Sequence, residues 1–413
     1  MRLPRKPIHS AQPAGSRPSK LHRKASLVPG IAIVFKLRSS HVLLNDNPAH
    51  YFQYDVYDDS ESTPNAHPGG LYTVGEVEVP HPGPNDVLVK IHVAALNPGD
   101  WKVTLPEYMS LGWGPGYPFT PGTDGAGVVV EVGAEVSNFK KGDRVLFQGC
   151  RAKSGFTTFQ EHSLVRAPLL AKIPDGISFD AAATVPSGLG SVVLALYNQE
   201  SEQESLGLKP FWSEGGSIAY AGKPIFILGG ATCLGQYAIQ LAKLSGFSPI
   251  ITTASARNTA LLTSLGATHV VDRTHAAETI LEDLPTLTGD KAIDVVFDAV
   301  SDTNTQALAY RALGPGGIGL MVVLPDAIPA ELKKDGPQKR VAMVRGSLYQ
   351  THTHAIAVEM FERVTSWLEE GLIKPNEFEV LPNGLAGITA GLERLKSGAV
   401  SAKKLVVRPQ ETP

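Results

Sequence analysis

Apolar and polar positions alternate from about Leu71 onward, and the period of the alternation changes once along the chain. Tyr72-Thr-Val-Gly-Glu-Val-Glu-Val79 has period two, which predicts a half-buried strand. Pro80-His-Pro-Gly-Pro-Asn-Asp86 is turn chemistry. Further strands are predicted at 87–93, 125–132 and 143–147. Short strands so closely spaced predict a small barrel-like domain. Beyond that region the segments lengthen. Residues 179–197 are helix-rich, broken by Pro186, Gly188 and Gly190. Strands predicted at 224–228, 249–253, 269–271, 293–297 and 319–323 alternate with helices at 236–245, 258–265 and 305–313. That order predicts βαβ units and a parallel sheet covered on both faces. A helix at 355–370 and a closing strand at 404–408 follow.

The first 65 residues stand apart. No Asp or Glu precedes Asp46, while Arg, Lys and Pro recur. This composition predicts a disordered basic extension over 1–65. A mitochondrial targeting segment is one alternative, although the prolines oppose the amphipathic helix it needs. A mispredicted gene start is another. On the first reading, residues before Leu71 are dispensable for folding.

A chain of 413 residues exceeds one hydrophobic core, so two domains are expected. A net charge of −3 suggests neither a nucleic-acid nor a membrane-surface partner. No apolar run is expected to span a bilayer. The two cysteines, Cys150 and Cys233, form no CxxC, so neither a disulfide framework nor a structural zinc is expected. A reducing compartment, the cytoplasm, fits this usage.

The strongest chemical signal is Ile225-Phe-Ile-Leu-Gly-Gly-Ala-Thr-Cys-Leu-Gly-Gln236, a strand that runs through glycines into a helix. Glycine permits the tight turn and close backbone approach to a pyrophosphate, which the helix N-terminus attracts. Gly229, Gly230, Thr232, Cys233, Leu234 and Gly235 are the candidate contacts, with Thr232 where a middle glycine is usual. No acid occurs between Gln236 and Val271, where an NAD-binding fold places one for the ribose. Ser255, Arg257 and Asn258 offer donors to a 2′-phosphate instead, which predicts NADPH. Their alternative role is an ordinary polar helix start.

From Tyr72 to Arg408 the chain resembles the zinc-free quinone-oxidoreductase and enoyl-reductase branch of the medium-chain dehydrogenase/reductases. The resemblance rests on Pro82-Gly-Pro-Asn-Asp-Val-Leu-Val-Lys90, Ala95-Leu-Asn-Pro-Gly-Asp-Trp-Lys102, Pro118-Phe-Thr-Pro-Gly-Thr-Asp-Gly-Ala-Gly-Val-Val129 and Gly142-Asp-Arg-Val145. The glycine turn, Leu265-Gly-Ala-Thr-His-Val-Val-Asp272 and Ser401-Ala-Lys-Lys-Leu-Val406 continue it. Within that branch it is most similar to fungal trans-acting enoyl reductases that serve polyketide synthases. Two departures stand out. The opening strand is not recognisable in residues 65–70, and Arg273 replaces an aromatic residue.

The resemblance implies an α/β fold: a GroES-like β-barrel catalytic domain from 66–190 and 345–413, beside a doubly wound Rossmann domain from 191–344. It implies no metal, since the zinc-ligand positions fall at Leu96-Asn97-Pro98 and Thr123-Asp124. It places Asn97 and Lys102 on the loop facing the nicotinamide, as candidate donors to a developing oxyanion. Read from residues alone, the solvated surface lysine is the favoured reading of Lys102, and Asn97 is a turn former. Ser191, Asp298, Leu324 and Lys404 are implied on the cofactor side, and Tyr108 and Tyr117 are donors or aromatic walls. The implied function is NADPH-dependent reduction of a conjugated C=C. Quinone reduction and a non-catalytic NADPH-binding or structural role are the alternatives. The acceptor is small or carrier-bound, a polyketide synthase is the implied partner, and the chain is a monomer or homodimer.

Overall fold

The computed structural model describes residues 48–55, 71–105, 108, 119–153, 155–334 and 339–413. Tyr117 lies outside the described residues.

The N-terminal half is built on β3 (Asp86–Ala95), which is buried at nearly every position, as a strand covered on both faces must be. It pairs antiparallel along its length with β4 (Asp124–Val132), which pairs with β5 (Arg144–Gln148) and through it β7 (Leu170–Lys172). On its opposite edge β3 takes β6 (His162–Arg166) and the end of β15 (Lys404–Val407), which runs beside β14 (Phe378–Val380). The expected closing strand thus returns the C-terminus to this domain. Between β3 and β4 lies the one-turn helix α1 (Pro98–Lys102).

The second sheet has six parallel strands. β8 (Ile225–Leu228), β9 (Ile250–Ala254) and β10 (His269–Asp272) lie to one side. β11 (Val295–Asp298), β12 (Gly319–Val322) and β13 (Val341–Met343) lie to the other. The order is β10-β9-β8-β11-β12-β13, the doubly wound arrangement expected of a Rossmann domain.

Helix α2 (Pro186–Tyr197) buries every residue but Ser191, so the boundary expected at 190/191 cuts through a helix that belongs to the core. The stretch Phe179–Tyr197 is apolar and long enough to cross a membrane, contrary to expectation. Its residues are instead 72% buried inside the protein, which accounts for the apolar composition.

The reading of 1–65 as a disordered extension needs correction. β1 (Pro48–Asp55) pairs antiparallel with all of β2 (Leu71–Glu78), from Pro48 opposite Glu78 to Asp55 opposite Leu71. Tyr51-Phe52-Gln53-Tyr54 supplies aromatic residues that favour a strand, which the acid-poor average of the segment masked. The remainder of the extension lies outside the described residues. Deletion of residues 1–55 is therefore expected to lower the unfolding midpoint, by about 2 °C for each kcal/mol lost. A thermal melt unchanged from that of the full chain would return this strand to the dispensable class.

Candidate active site

In the doubly wound sheet β8 and β11 are neighbours, and the chain leaves them in opposite directions. The crevice beyond their C-terminal ends is where such sheets bind ligands. Gly229 begins the turn after β8 with φ +75°, a conformation side chains rarely adopt. Thr253 fixes the turn, its hydroxyl accepting from the Gly229 N–H at 3.0 Å and its carbonyl from the Gly230 N–H at 3.0 Å. Thr232 caps α3 (Cys233–Leu244), accepting from the Gly235 N–H at 2.9 Å. A Cβ on Gly235 would lie 2.2 Å from the Gly229 carbonyl oxygen, so only glycine lets helix and turn approach this closely. The first amides of a helix lack internal partners; here they belong to Cys233 and Leu234.

On the facing side, Asp298 ends β11. One carboxylate oxygen accepts from the N–H groups of Val300 and Ser301, at 3.0 and 2.9 Å. The other is buried without a hydrogen-bond partner. Burial raises the Asp298 pKa to about 6. Beyond the ends of β11 and β12 lies a cleft of about 360 Å³ lined by Tyr108, Ser301, Asp302, Leu324 and Pro325. Tyr108 follows α1, so the cleft has one wall from each domain. The Lys102 ammonium lies 5.7 Å from the centre of the Tyr108 ring. Burial lowers the Lys102 pKa below 10.5. Lys102 is thus a half-buried lysine beside the cleft, not a fully solvated one.

Asn97 is held differently. Its amide donates to Asp124 Oδ2 at 2.8 Å and to Thr123 Oγ1 at 3.2 Å. Its Oδ1 accepts from Lys404 Nζ at 2.8 Å. Both amide hydrogens are therefore already engaged, which corrects the reading of Asn97 as an oxyanion donor. Lys404 is corrected too. It was expected against the cofactor, yet its side chain is 1% exposed and its ammonium lies 2.7 Å from Oδ2 of the fully buried Asp124 side chain. The backbone N–H of Ser187, in the first turn of α2, donates to Asp124 Oδ1 at 2.6 Å.

Beside this cluster, Asp100 accepts from the Asn97 N–H at 2.8 Å and pairs with Arg151 at 3.2 Å. The Tyr72 hydroxyl donates to the Asp100 carbonyl at 3.0 Å. These contacts lock α1, and with it Lys102, to β2 and to the loop after β5.

The other expected contacts divide. Ser255, Arg257 and Arg273 stand at the ends of β9 and β10, and Arg273 Nε donates to Ser255 Oγ at 3.0 Å. Asn258 is buried and donates to Ser401 Oγ at 3.3 Å, so its amide is engaged with the C-terminal tail. Cys233 meets the same tail, its sulfur 3.8 Å from the Lys403 carbonyl. Ser191 faces the loop after β13, where a Cβ on Gly346 would lie 2.6 Å from its hydroxyl.

Residues 83–175 match the alcohol dehydrogenase GroES-like domain, and residues 233–370 match the zinc-binding dehydrogenase family. A trans-enoyl reductase of Gibberella fujikuroi is 31% identical over 83% of this chain and 97% of its own length. The chain belongs to the trans-enoyl reductase family of medium-chain dehydrogenases/reductases. Quinone oxidoreductase from Pseudomonas syringae shares the fold with a TM-score of 0.65 at 23% identity, over 87% of this chain and 99% of that one. CurK enoyl reductase does so with a TM-score of 0.64 at 19% identity, over 88% and 99%. This reductase is therefore an oxidoreductase with the two-domain architecture of its superfamily.

Of two groups common in that superfamily, the residues present fit one. A nicotinamide dinucleotide fits: the glycine turn forms a cradle that a Cβ would fill, at a helix N-terminus. Zinc does not fit. An amide, a hydroxyl and a carboxylate already paired with an ammonium stand at the ligand positions. Among the described residues no group of three His, Cys, Asp or Glu could hold a metal ion. The roles of Asp124, Ser187 and Arg273 escaped the sequence reading. The only signal for the first was Thr123-Asp124 standing where the family has His-Glu.

Proposed function

We propose that this protein is an NADPH-dependent, metal-independent reductase of alkenes conjugated to a carbonyl. The observation that carries the reading is Lys102, half buried beside a two-walled cleft at the strand ends, with an ammonium–carboxylate pair standing at the superfamily's metal position. The name of the Gibberella relative supports the same reaction class.

A bound NADPH supplies hydride. Gly229, Gly230, Thr232, Cys233, Leu234 and Gly235 would hold its pyrophosphate, and Asp298 and Leu324 would border its nicotinamide end. For the acceptor, hydride adds at the β-carbon, negative charge gathers on the carbonyl oxygen, and the enolate then takes a proton from solvent at the α-carbon to give the saturated carbonyl. The Lys102 ammonium donates a hydrogen bond to that oxygen, the role a Lewis acid plays elsewhere. Asn97, Asp124 and Lys404 act at one remove: they fix α1 and the chain entering α2. The acceptor is small or carrier-bound, with a polyketide synthase as the partner class and the cytoplasm as the compartment.

The test is a panel of enoyl thioesters, enones and quinones, followed by NADPH absorbance with a chelator present throughout. Oxidation driven by enoyl acceptors and indifferent to chelation is expected. Activity lost on chelation and restored by zinc contradicts the metal-independent reading, and turnover of quinones alone contradicts the acceptor.

A further inference from the structure

We propose that Arg273 is the principal ligand of the cofactor's 2′-phosphate and thereby sets the preference for NADPH over NADH. The proposal rests on the NADPH reading above and adds a residue to it. Arg273 directly follows β10, and its backbone N–H donates to the carbonyl of Ala254, the last residue of β9, at 3.0 Å. The two strand ends are thereby joined at the corner where dinucleotide folds hold the adenosine ribose. The side chain then turns onto Ser255, with Nε 3.0 Å from Oγ.

That single bond arranges the rest. With Nε anchored, the guanidinium is held beside Ser255, while neither terminal nitrogen makes a hydrogen bond or ion pair among the described residues. Those two nitrogens form the fork that matches a phosphate bidentately. The Ser255 hydroxyl accepts from Nε and keeps its own hydrogen to donate. Arg257, exposed on the short turn after β9, makes no hydrogen bond or ion pair among the described residues. Its long side chain must be ordered when it binds, at a cost in rotamer entropy that Arg273 has partly met in advance.

The neighbouring charges allow an anion. Asp272 is the one acid at the corner, and its Oδ1 accepts from the N–H and hydroxyl of Thr274 at 2.9 and 2.7 Å. The carboxylate also meets the backbone N–H of Ala256, so its charge is spent on backbone and hydroxyl donors. His275 follows Thr274 on the same loop. Two guanidinium groups against one carboxylate leave the corner net positive.

The test separates the phosphate from the rest of the cofactor. Binding of 2′,5′-ADP and of 5′-AMP is measured by calorimetry at one salt concentration. The proteins are wild type, Arg273→Ala, Arg273→Lys and Arg257→Ala. Arg273→Ala is expected to weaken 2′,5′-ADP by about 10- to 150-fold, the range for one hydrogen-bonded charged contact. Its binding of 5′-AMP should be unchanged, which also reports an intact fold. Arg273→Lys keeps the charge without the fork and should fall between wild type and Arg273→Ala. Arg257→Ala should lose less than Arg273→Ala. An unchanged affinity of Arg273→Ala for 2′,5′-ADP, equal losses for both ligands, or a larger loss in Arg257→Ala overturns the proposal. A wild type that binds the two ligands equally removes the NADPH reading, and this proposal with it; that failure is visible without any variant.

Discussion

Replacing Lys404 with methionine is expected to cost about 3–5 kcal/mol of folding stability, because it leaves a buried carboxylate without its counter-charge. The side chains of Lys404 and Asp124 are 1% and 0% exposed, and their charged atoms lie 2.7 Å apart. Burial is the largest influence and alone would lower the Lys404 pKa, but the charge and hydrogen bond of Asp124, together with Cys233 and Asp100 nearby, outweigh it and hold the value above 10.5. A pKa raised on folding contributes stability that is fully present below 10.5 and is lost as pH rises through the folded value. The penalty of the variant should therefore be constant across neutral pH.

Asp124 also accepts from Asn97 and from the Ser187 N–H, so the loss spreads to α1 and to the first turn of α2. The double variant Lys404→Met, Asp124→Leu removes both charges and should be less destabilised than the sum of the single variants. Urea unfolding checks both statements. A loss below about 1 kcal/mol for Lys404→Met, the scale of an exposed pair, would contradict the burial argument.

Lys102→Ala is expected to lower kcat by about 100-fold or more, the scale for removing one donor to a developing oxyanion. Affinity for the cofactor should change little, because the glycine turn that would bind it lies on the other domain. The pH profile supplies a second readout. The donor must be the ammonium form, and burial lowers its pKa below 10.5. Activity of the wild type should therefore fall on the alkaline side at a pH below 10.5, and the alanine variant should lack that limb. Unchanged kcat with the best acceptor, or an identical alkaline limb in the variant, would make Lys102 a bystander.

The parts of this molecule that were legible in the sequence are local. The strand, the glycines and the helix of residues 225–244 lie consecutively, so spacing alone places them. The alternation of strands and helices likewise reveals the parallel sheet. What stayed hidden depends on distant residues meeting. Lys404 and Asp124 are 280 positions apart, and no periodicity brings them together. The contact between Arg273 and Ser255 spans 18 positions and exists because β9 and β10 run parallel and end side by side. The bond from Asn258 to Ser401 spans 143 positions and is equally invisible to local spacing. β1 was missed for another reason. Its aromatic residues sit in a stretch whose overall charge suggested no core, and a segment average conceals one strand.

On the proposed reading, hydride reaches the β-carbon of a conjugated alkene without a metal. NADPH deuterated at its transferable position is supplied with an α,β-unsaturated thioester, under chelation, and the product is analysed by mass spectrometry and NMR. A saturated thioester carrying a single deuterium on its β-carbon is expected. Recovery of the thioester unreduced, or deuterium found at a position other than the β-carbon, would overturn this reading.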